Sequence, residues 1–220
     1  MSIYLVGNSK GGAGKTTVAG CVGPLLASFG RRVCLLDTDV QRHLTEFYAL
    51  RRAYPRLAPL RLEQAVGLVA HRVRELAREV DDVVIDAGGR ASEELYSAAS
   101  AADVLLIPSK TGQTDLWAMN DMQQVVSTAR RTNPRLRVLA FLNDASTNWA
   151  RQARIEAIRT MLGEVEGVQV AETVLYHREA SFEKVNETGL AVFEMGRAGD
   201  QAAQELWNLW AEVEPLAKGA

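Results

Sequence analysis

The stretch that decides the fold is Ser9-Lys10-Gly11-Gly12-Ala13-Gly14-Lys15-Thr16-Thr17, a glycine-rich turn between two apolar segments. Residues 3–6 form an apolar, β-prone run that predicts a buried strand, and residues 16–29 have the pattern of a helix. The glycines let backbone N–H groups turn inward, and the helix N-terminus adds partial positive charge at the same point. The stretch therefore predicts a site for a phosphate chain.

The side chains that follow the last glycine suit a nucleoside triphosphate with Mg2+. We expect Lys15 to reach the β- and γ-phosphates and the Thr16 hydroxyl to bind the metal. The usual pattern, Gly-x-x-x-x-Gly-Lys-[Ser/Thr], has glycine where this chain has Ser9, but a second lysine, Lys10, begins the loop. The alternative is a strand–helix turn with two incidental lysines. The expected nucleotide-binding residues of the loop are Gly11, Gly12, Ala13, Gly14, Lys15, Thr16 and Thr17.

Lys10-Gly-Gly-x-Gly-Lys15-Thr-Thr resembles the deviant P-loop of the ParA/MinD family of ATPases. The resemblance extends over the whole length, and it is greatest to short ParA-type partition ATPases without an N-terminal DNA-binding domain. It implies an α/β P-loop NTPase fold with a mostly parallel central sheet and helices on both faces. It also implies hydrolysis of ATP with Mg2+. In the family the first lysine reaches the partner's nucleotide in a face-to-face homodimer, so Lys10 is expected to act in trans and to make dimerisation ATP-dependent.

Two carboxylates follow the second apolar run, residues 33–36, where ligands bind in a doubly wound sheet. The segment Asp37-Thr38-Asp39-Val40-Gln41 resembles the family's first switch, Asp-x-Asp-Pro-Gln, with Val40 in place of proline. By this resemblance Asp39 positions or activates the attacking water, and Asp37 supports the metal shell. The alternative is that these acids cap the next helix.

A third apolar run, residues 83–85, ends in Asp86, which we expect to hold the Mg2+ shell opposite Thr16. Gly88 and Gly89 follow, and they allow the backbone to approach a γ-phosphate, as the family's second switch does. Many relatives have proline here, so the glycine version is expected to be more mobile. Arg90 has two possible interpretations: its side chain senses phosphate, or it faces solvent.

Three further strands are expected at 104–107, ended by Pro108, at 138–142 and at 168–175, with a helix at 115–131. Asn143 follows the second of them, and an amide there can pair with the donor–acceptor edge of adenine. By resemblance Asn143 contacts the base. A simple Asx turn is the alternative.

At 220 residues with 47% hydrophobic residues, the chain suits a single ATPase domain, 1–220. Its two cysteines indicate no disulfide framework, and its three widely spaced histidines suggest no zinc site. We find no apolar run of about 18 residues, and the first strand begins so soon after Met1 that we expect neither a signal peptide nor an N-terminal helix-turn-helix domain. The expected location is the cytoplasm.

With a net charge of −2, contacts with nucleic acid would have to be local. We expect residues 47–61 to be irregular and residues 62–80 to be helical. Seven arginines lie between positions 51 and 78. They form either a solvated basic face or a surface for an anionic partner. Seven more predict a basic patch that holds DNA non-specifically, unless they only reflect an arginine-rich surface. These are Arg130, Arg131, Arg135, Arg137, Arg151, Arg154 and Arg159.

The sequence allows several interpretations of the cellular task. Partition of DNA or another large cargo over the nucleoid, with a ParB-like or other adaptor, competes with MinD-like positioning at a membrane surface and with a P-loop metabolic enzyme. Residues 200–217 form an amphipathic helix with acidic and no basic residues, which predicts packing on the core rather than binding to anionic lipid. The sequence does not identify the cargo.

Overall fold

The computed structural model describes residues 1–148 and 152–219, without the side chains of residues 113–118 and 198. Among these residues the central sheet has seven strands in the order β3-β2-β4-β1-β5-β6-β7, and every pairing is parallel. This arrangement confirms the expected fold class. The strands are β1 (Ser2–Val6), β2 (Val33–Asp37), β3 (Arg61–Gln64), β4 (Asp82–Asp86), β5 (Val104–Ser109), β6 (Arg137–Ala145) and β7 (Gln169–Tyr176).

Helices cover both faces of the sheet and bury two separate apolar cores. One core lies under α3 to α6, and the other lies under α1, α2, α7 and α8. Because both faces are covered, the central strands are apolar throughout rather than alternating. The helices are α1 (Lys15–Ser28), α2 (His43–Arg51), α3 (Ala70–Glu79), α4 (Glu93–Ala99), α5 (Gln113–Arg130), α6 (Gln152–Gly163), α7 (Val185–Thr188) and α8 (Asp200–Lys218).

The segment between α1 and β4 departs from the sequence-based expectation. The expected irregular stretch begins only after α2, and the expected helix from Leu62 to Val80 is instead the short strand β3 followed by α3. β3 pairs with β2 at the edge of the sheet, and its exposed Arg61 and part-exposed Glu63 lack the apolar pattern of a buried strand. Edge strands are often charged, which hides them from a search for apolar runs.

Pro108 lies inside β5 and does not end it, contrary to expectation. The pairing of β5 with β1 ends at Leu106, whereas its pairing with β6 continues to Ser109. The Pro108 carbonyl points to the β1 side, where it accepts a hydrogen bond from Asn8 Nδ2 (2.8 Å). The side of Pro108 that lacks an N–H therefore faces β1, which no longer pairs with β5 at this position, so no ladder hydrogen bond is lost.

Arg51 is not part of a solvated basic face. Its guanidinium is buried and donates to both carboxylate oxygens of Glu194 at 2.6 and 2.8 Å. It also reaches the carbonyl of Gly189, at 3.4 Å. The pair joins the end of α2 to the segment before α8, two parts of the chain that no local pattern connects.

The arginines of 130–159 do not form one patch. Arg131, Arg135 and Arg137 lie where β6 begins, whereas Arg154 follows the end of β6, about 25 Å away at about 3.3 Å per residue. Arg159 pairs with Glu172 at 2.5 Å. Arg151 lies outside the described residues.

α8 packs on the core, as expected. Leu206, Leu209, Trp210 and Val213 are buried, and Trp210 stacks at a tilt against Tyr4 with ring centroids 5.3 Å apart. None of the described helices is both long and apolar enough to cross a bilayer.

Candidate nucleotide site

A cavity of about 770 Å³ opens at the carboxyl ends of the parallel strands. Its walls come from the glycine-rich turn before α1, the loops after β2 and β4, the ends of β5 to β7 and the segment around α7. Most of the residues that the sequence singled out line it: Gly11, Gly12, Gly14, Lys15, Thr16, Thr17, Asp39 and Asn143. Parallel strands bring their carboxyl ends to one edge of a sheet, which explains why distant motifs meet here.

The turn has the backbone that its glycines were expected to provide. Gly12 and Gly14 have φ of +73° and +89°, in the left-handed region that favours glycine. A Cβ at Gly14 would also lie 2.2 Å from Asn143 Nδ2. Lys15 begins α1, is 6% exposed, and donates from Nζ to the Lys10 carbonyl at 2.9 Å. Its pKa is lowered by burial, against the opposing effect of nearby carboxylates.

Thr16 and Asp86 meet at the base of the cavity. Thr16 Oγ1 donates to Asp86 Oδ2 at 2.7 Å, and Asp86 is 1% exposed. Oδ1 of Asp86 has no hydrogen-bond partner among the described residues. Burial raises the pKa of Asp86 to about 7, although the Thr16 hydrogen bond lowers it. A buried carboxylate with an unsatisfied oxygen beside a hydroxyl fits a Mg2+ shell, because a bound cation would compensate that charge.

The first switch segment is fixed by Asp37. Asp37 Oδ1 accepts from the backbone N–H of Asp39 at 3.1 Å, and Oδ2 accepts from the backbone and hydroxyl of Thr45 at 2.9 and 2.7 Å. Oδ1 thus holds the segment itself and Oδ2 ties it to the first turn of α2, an arrangement that agrees with the capping alternative. Support of the metal shell by Asp37 stays a prediction.

Asp39 is half-buried and lines the cavity. Its Oδ1 accepts from the backbone N–H of Gln41 at 3.0 Å. A Cβ built on Gly88 would lie 3.5 Å from the Asp39 carboxylate, so the two switch segments are in contact. This position beside the phosphate loop is compatible with orienting a water molecule, which stays a prediction.

The second switch segment presses directly on the phosphate loop. A Cβ on Gly89 would lie 2.9 Å from Gly11 Cα and 3.5 Å from Lys15 Nζ. Only glycine allows the backbone this close approach. Arg90 is exposed and lines the cavity, and phosphate sensing by its guanidinium stays a prediction.

Asn143 lies within β6 and is 7% exposed. Its Nδ2 donates to the carbonyl of Ala13 at 2.8 Å, which places the amide against the phosphate loop. Beside it, Asp144 binds Lys110 at 2.5 Å and His177 Nδ1 at 2.6 Å, so one carboxylate joins the ends of three strands. The hydrogen bond that His177 makes to the Asp144 carboxylate raises the pKa of His177. Contact between Asn143 and adenine stays a prediction.

Sequence reasoning missed two residues that shape this site. Asn8 is fully buried, and its Oδ1 accepts from the Lys10 N–H at 2.9 Å while its Nδ2 holds β5. Asn186, on α7, donates to Thr17 Oγ1 at 3.1 Å. Asn8 carries only one sequence signal, a polar residue directly before the glycine-rich loop, and Asn186 carries none because its partner is distant in sequence.

The arrangement suits phosphoryl transfer to water, in which catalysis consists of positioning and charge neutralisation. Lys15 and the loop N–H groups would hold the phosphates, and Asp39 would orient the nucleophile. Thr16 and Asp86 would hold Mg2+, which supplies charge neutralisation at the phosphate oxygens when bound.

Comparison with known proteins agrees with this geometry. Residues 4–190 match the model of the CobQ/CobB/MinD/ParA nucleotide-binding domain family. The chain is 29% identical over 213 residues to maintenance of carboxysome distribution protein A of Halothiobacillus neapolitanus, covering 96% of this chain and 95% of that protein. It is also 29% identical over 192 residues to the chromosome-partitioning ATPase Soj of Thermus thermophilus, covering 71% and 75%.

The fold is that of a solved ATP complex of a Cyanothece McdA variant, with a TM-score of 0.69 at 18% identity over 94% of this chain and 96% of that one. At 18% identity, this structural similarity is evidence for the fold and not for the function. The family match, over 187 of the 220 residues from 4 to 190, is the stronger statement. Together with the phosphate loop, the buried Asp86 and the two switch segments, it identifies the chain as a member of the ParA/MinD family of P-loop ATPases, which use ATP and Mg2+.

Proposed function

We propose that the protein is an ATP-dependent homodimeric switch that positions a large cargo, DNA or a protein assembly, over the nucleoid. ATP binding would drive dimerisation, and hydrolysis would reset the switch. The names of the two relatives, one concerned with carboxysome distribution and one with chromosome partitioning, support this class of task. A ParB-like or other adaptor protein would connect the switch to its cargo.

The different placement of the two lysines carries the proposal. Lys15 lines the cavity, whereas Lys10 contributes its backbone carbonyl to Lys15 and is not among the described residues that line the cavity. Lys10 nevertheless lies half-buried at the entrance of the loop. A lysine in this position is suited to the cavity of a second protomer, as an arginine finger supplied in trans would be.

Arg154 is the candidate for a DNA contact that depends on dimerisation. It is exposed at the nucleotide edge, and its Nε donates to the carbonyl of Thr111 at 2.8 Å. The donors at the end of the guanidinium can still bind a phosphate. Face-to-face dimerisation through this edge would bring two copies of Arg154 into one particle, where they act at a high effective concentration.

The test is binding of a labelled duplex of random sequence with Mg2+ and either ATP or ADP. We expect binding with ATP and little with ADP, and a steep loss with salt, about 0.9 log units per log unit of salt for each phosphate neutralised. Arg154→Gln should weaken binding and reduce the slope, whereas Arg52→Gln, an exposed arginine at the end of α2, should not. Equal binding in both nucleotide states would contradict the proposal.

Membrane positioning makes a different prediction, which the same protein can test. α8 buries Leu206, Leu209, Trp210 and Val213 in the core and leaves Trp207 exposed, so a lipid surface would have to extract most of its apolar face. ATP-dependent binding to anionic liposomes without binding to DNA would favour the MinD-like alternative. Rapid turnover that requires a small-molecule acceptor would favour a metabolic enzyme.

A further inference from the structure

A second basic surface lies on the opposite edge of the sheet, where the strands begin. It consists of the exposed arginines Arg74, Arg131, Arg135 and Arg137, from α3, the α5–β6 turn and the start of β6. We call it the amino-edge surface. The sequence separates Arg74 from the others by more than fifty residues, so no local pattern unites the four.

The connection between α4 and β5, residues 99–103, accepts hydrogen bonds from several parts of this surface. Arg74 Nη2 donates to the Ser100 carbonyl of the connection at 3.4 Å. Asn133, in the turn between Arg131 and Arg135, donates from Nδ2 to two of its carbonyls at 3.1 and 2.7 Å. The Arg137 N–H donates to a third at 3.0 Å. These bonds attach Arg74, the turn that carries Arg131 and Arg135, and the start of β6 to the same connection.

None of the four has an ion pair with a carboxylate within 1–148 and 152–219. Other arginines of the same edge are neutralised: Arg31 pairs with Asp82, and Arg32 pairs with Asp81 at 2.7 Å. Glu75, next to Arg74 in sequence, pairs with Arg72 at 3.1 Å, and Asp103, in the 99–103 connection, accepts from the N–H of Ile3 at 2.8 Å. The surface thus carries uncompensated positive charge in a protein of net charge −2.

We propose that the amino-edge surface binds the phosphate backbone of a second DNA duplex. The inference rests on the proposed dimer, in which the nucleotide edges meet and the amino edges point away from each other. The amino-edge surface lies about 25 Å from the nucleotide edge. A straight duplex bound at the nucleotide edge of the dimer therefore cannot also contact the amino-edge surfaces. An ATP-bound dimer, which binds one duplex through its two copies of Arg154, then holds a second duplex at an amino edge.

The chemistry of the surface favours duplex DNA over a lipid surface. Guanidinium groups bind phosphate oxygens in bidentate pairs, and the exposed Thr132 between Arg131 and Arg135 is of a residue type that contacts phosphates. Amphipathic segments that bind lipid carry large apolar side chains beside their basic residues. Here Thr132 and Pro134 are the exposed neighbours, and Leu136 is buried.

A bridging assay tests the proposal with the full chain. One duplex of random sequence is fixed to beads, and capture of a second, labelled duplex is measured with Mg2+ and ATP or ADP. The test variant is Arg131→Gln/Arg135→Gln. The matched control is Arg52→Gln/Arg56→Gln, which removes the same charge from exposed positions beside β3, about four strand spacings from β5. Melting temperatures and single-duplex binding are measured on every protein.

We expect the wild type to capture the labelled duplex with ATP and not with ADP. The Arg131→Gln/Arg135→Gln variant should lose at least about three quarters of this capture and keep ATP-dependent binding of a single duplex, while the control bridges as the wild type does. Equal bridging by the test variant, or equal loss in the control, overturns the inference. The inference is also overturned if the wild type binds anionic liposomes instead of DNA and only the test variant loses this liposome binding. If the wild type binds no duplex in an ATP-dependent way, the proposed function itself fails.

Discussion

Thr16 Oγ1 donates a 2.7 Å hydrogen bond to Asp86 Oδ2 and so joins the first turn of α1 to the last residue of β4. The second oxygen of this carboxylate has no partner among the described residues, and the side chain is buried. A carboxylate in this state is costly to the protein without a cation, because its charge is neither solvated nor paired. If this pair holds Mg2+ as predicted, binding of the metal should stabilise the folded protein.

The first prediction concerns Asp86→Asn. Without nucleotide and metal, we expect this variant to melt at a higher temperature than the wild type, because a buried carboxylate is replaced by a neutral amide of the same shape. With Mg2+ and ATP the order should reverse, since ligand binding stabilises only the protein that holds the complex well. Thermal unfolding with and without EDTA measures both effects. A wild type whose ATP-induced stabilisation is insensitive to EDTA would contradict the metal assignment.

The second prediction separates the two lysines of the loop. Lys15→Ala should lose ATP binding by about 100-fold or more with the fold intact, since its ammonium lines the cavity. Lys10→Ala should retain ATP binding and lose dimerisation and hydrolysis. Binding of a fluorescent ATP analogue and size-exclusion chromatography distinguish the variants. Undiminished turnover in folded Lys15→Ala protein would refute the site.

The third prediction follows from the position of Asp39 between the two switch segments. Asp39→Ala should bind ATP and hydrolyse it about 100-fold more slowly or worse, because the group that orients water is lost. The variant should then accumulate as a dimer with ATP and Mg2+. If size-exclusion chromatography finds only monomer under these conditions, Asp39 loses its assigned role.

The fourth prediction tests the close approach of the second switch to the loop. Gly89→Ala places a methyl group 2.9 Å from Gly11 Cα, so one of the two segments must move. We expect about tenfold weaker ATP binding, corresponding to about 1.4 kcal/mol. Gly88→Ala is the matched comparison, because its methyl group would make ordinary contact at 3.5 Å with Asp39. Equal affinities in the two variants would argue against steric pressure at position 89.

The sequence predicted the parts of the molecule that are local. Apolar runs predicted six of the seven strands, and glycines followed by Lys15 and Thr16 predicted the phosphate loop, because these signals lie within a few residues. The carboxyl ends of parallel strands then brought Asp39, Asp86 and Asn143 to one edge, which fold class alone anticipates. The amphipathic pattern of α8 likewise predicted the face that it buries.

What escaped prediction depends on partners that are distant in the chain. β3 is charged because it lies at the sheet edge, and Asn8 acquires its role only when β5 arrives beside it. Counting arginines along the sequence merged Arg137 and Arg154, which β6 carries to opposite edges. The same counting placed Arg51 on a solvated surface, where tertiary structure instead buries it against Glu194.

The fifth prediction concerns this Arg51–Glu194 pair. Both side chains are less than 10% exposed, and Glu194 Oε2 also accepts from the N–H of Ala191 at 2.8 Å. Removal of one partner leaves a buried charge uncompensated, so Arg51→Met or Glu194→Met should lower the free energy of unfolding by about 3–5 kcal/mol. The double substitution Arg51→Met/Glu194→Met should recover part of that loss, because no charge then remains buried. Urea unfolding of the four proteins closes a double-mutant cycle. Additive losses would mean that the two residues act separately, and the contact would then have no role in holding α2 against the segment before α8.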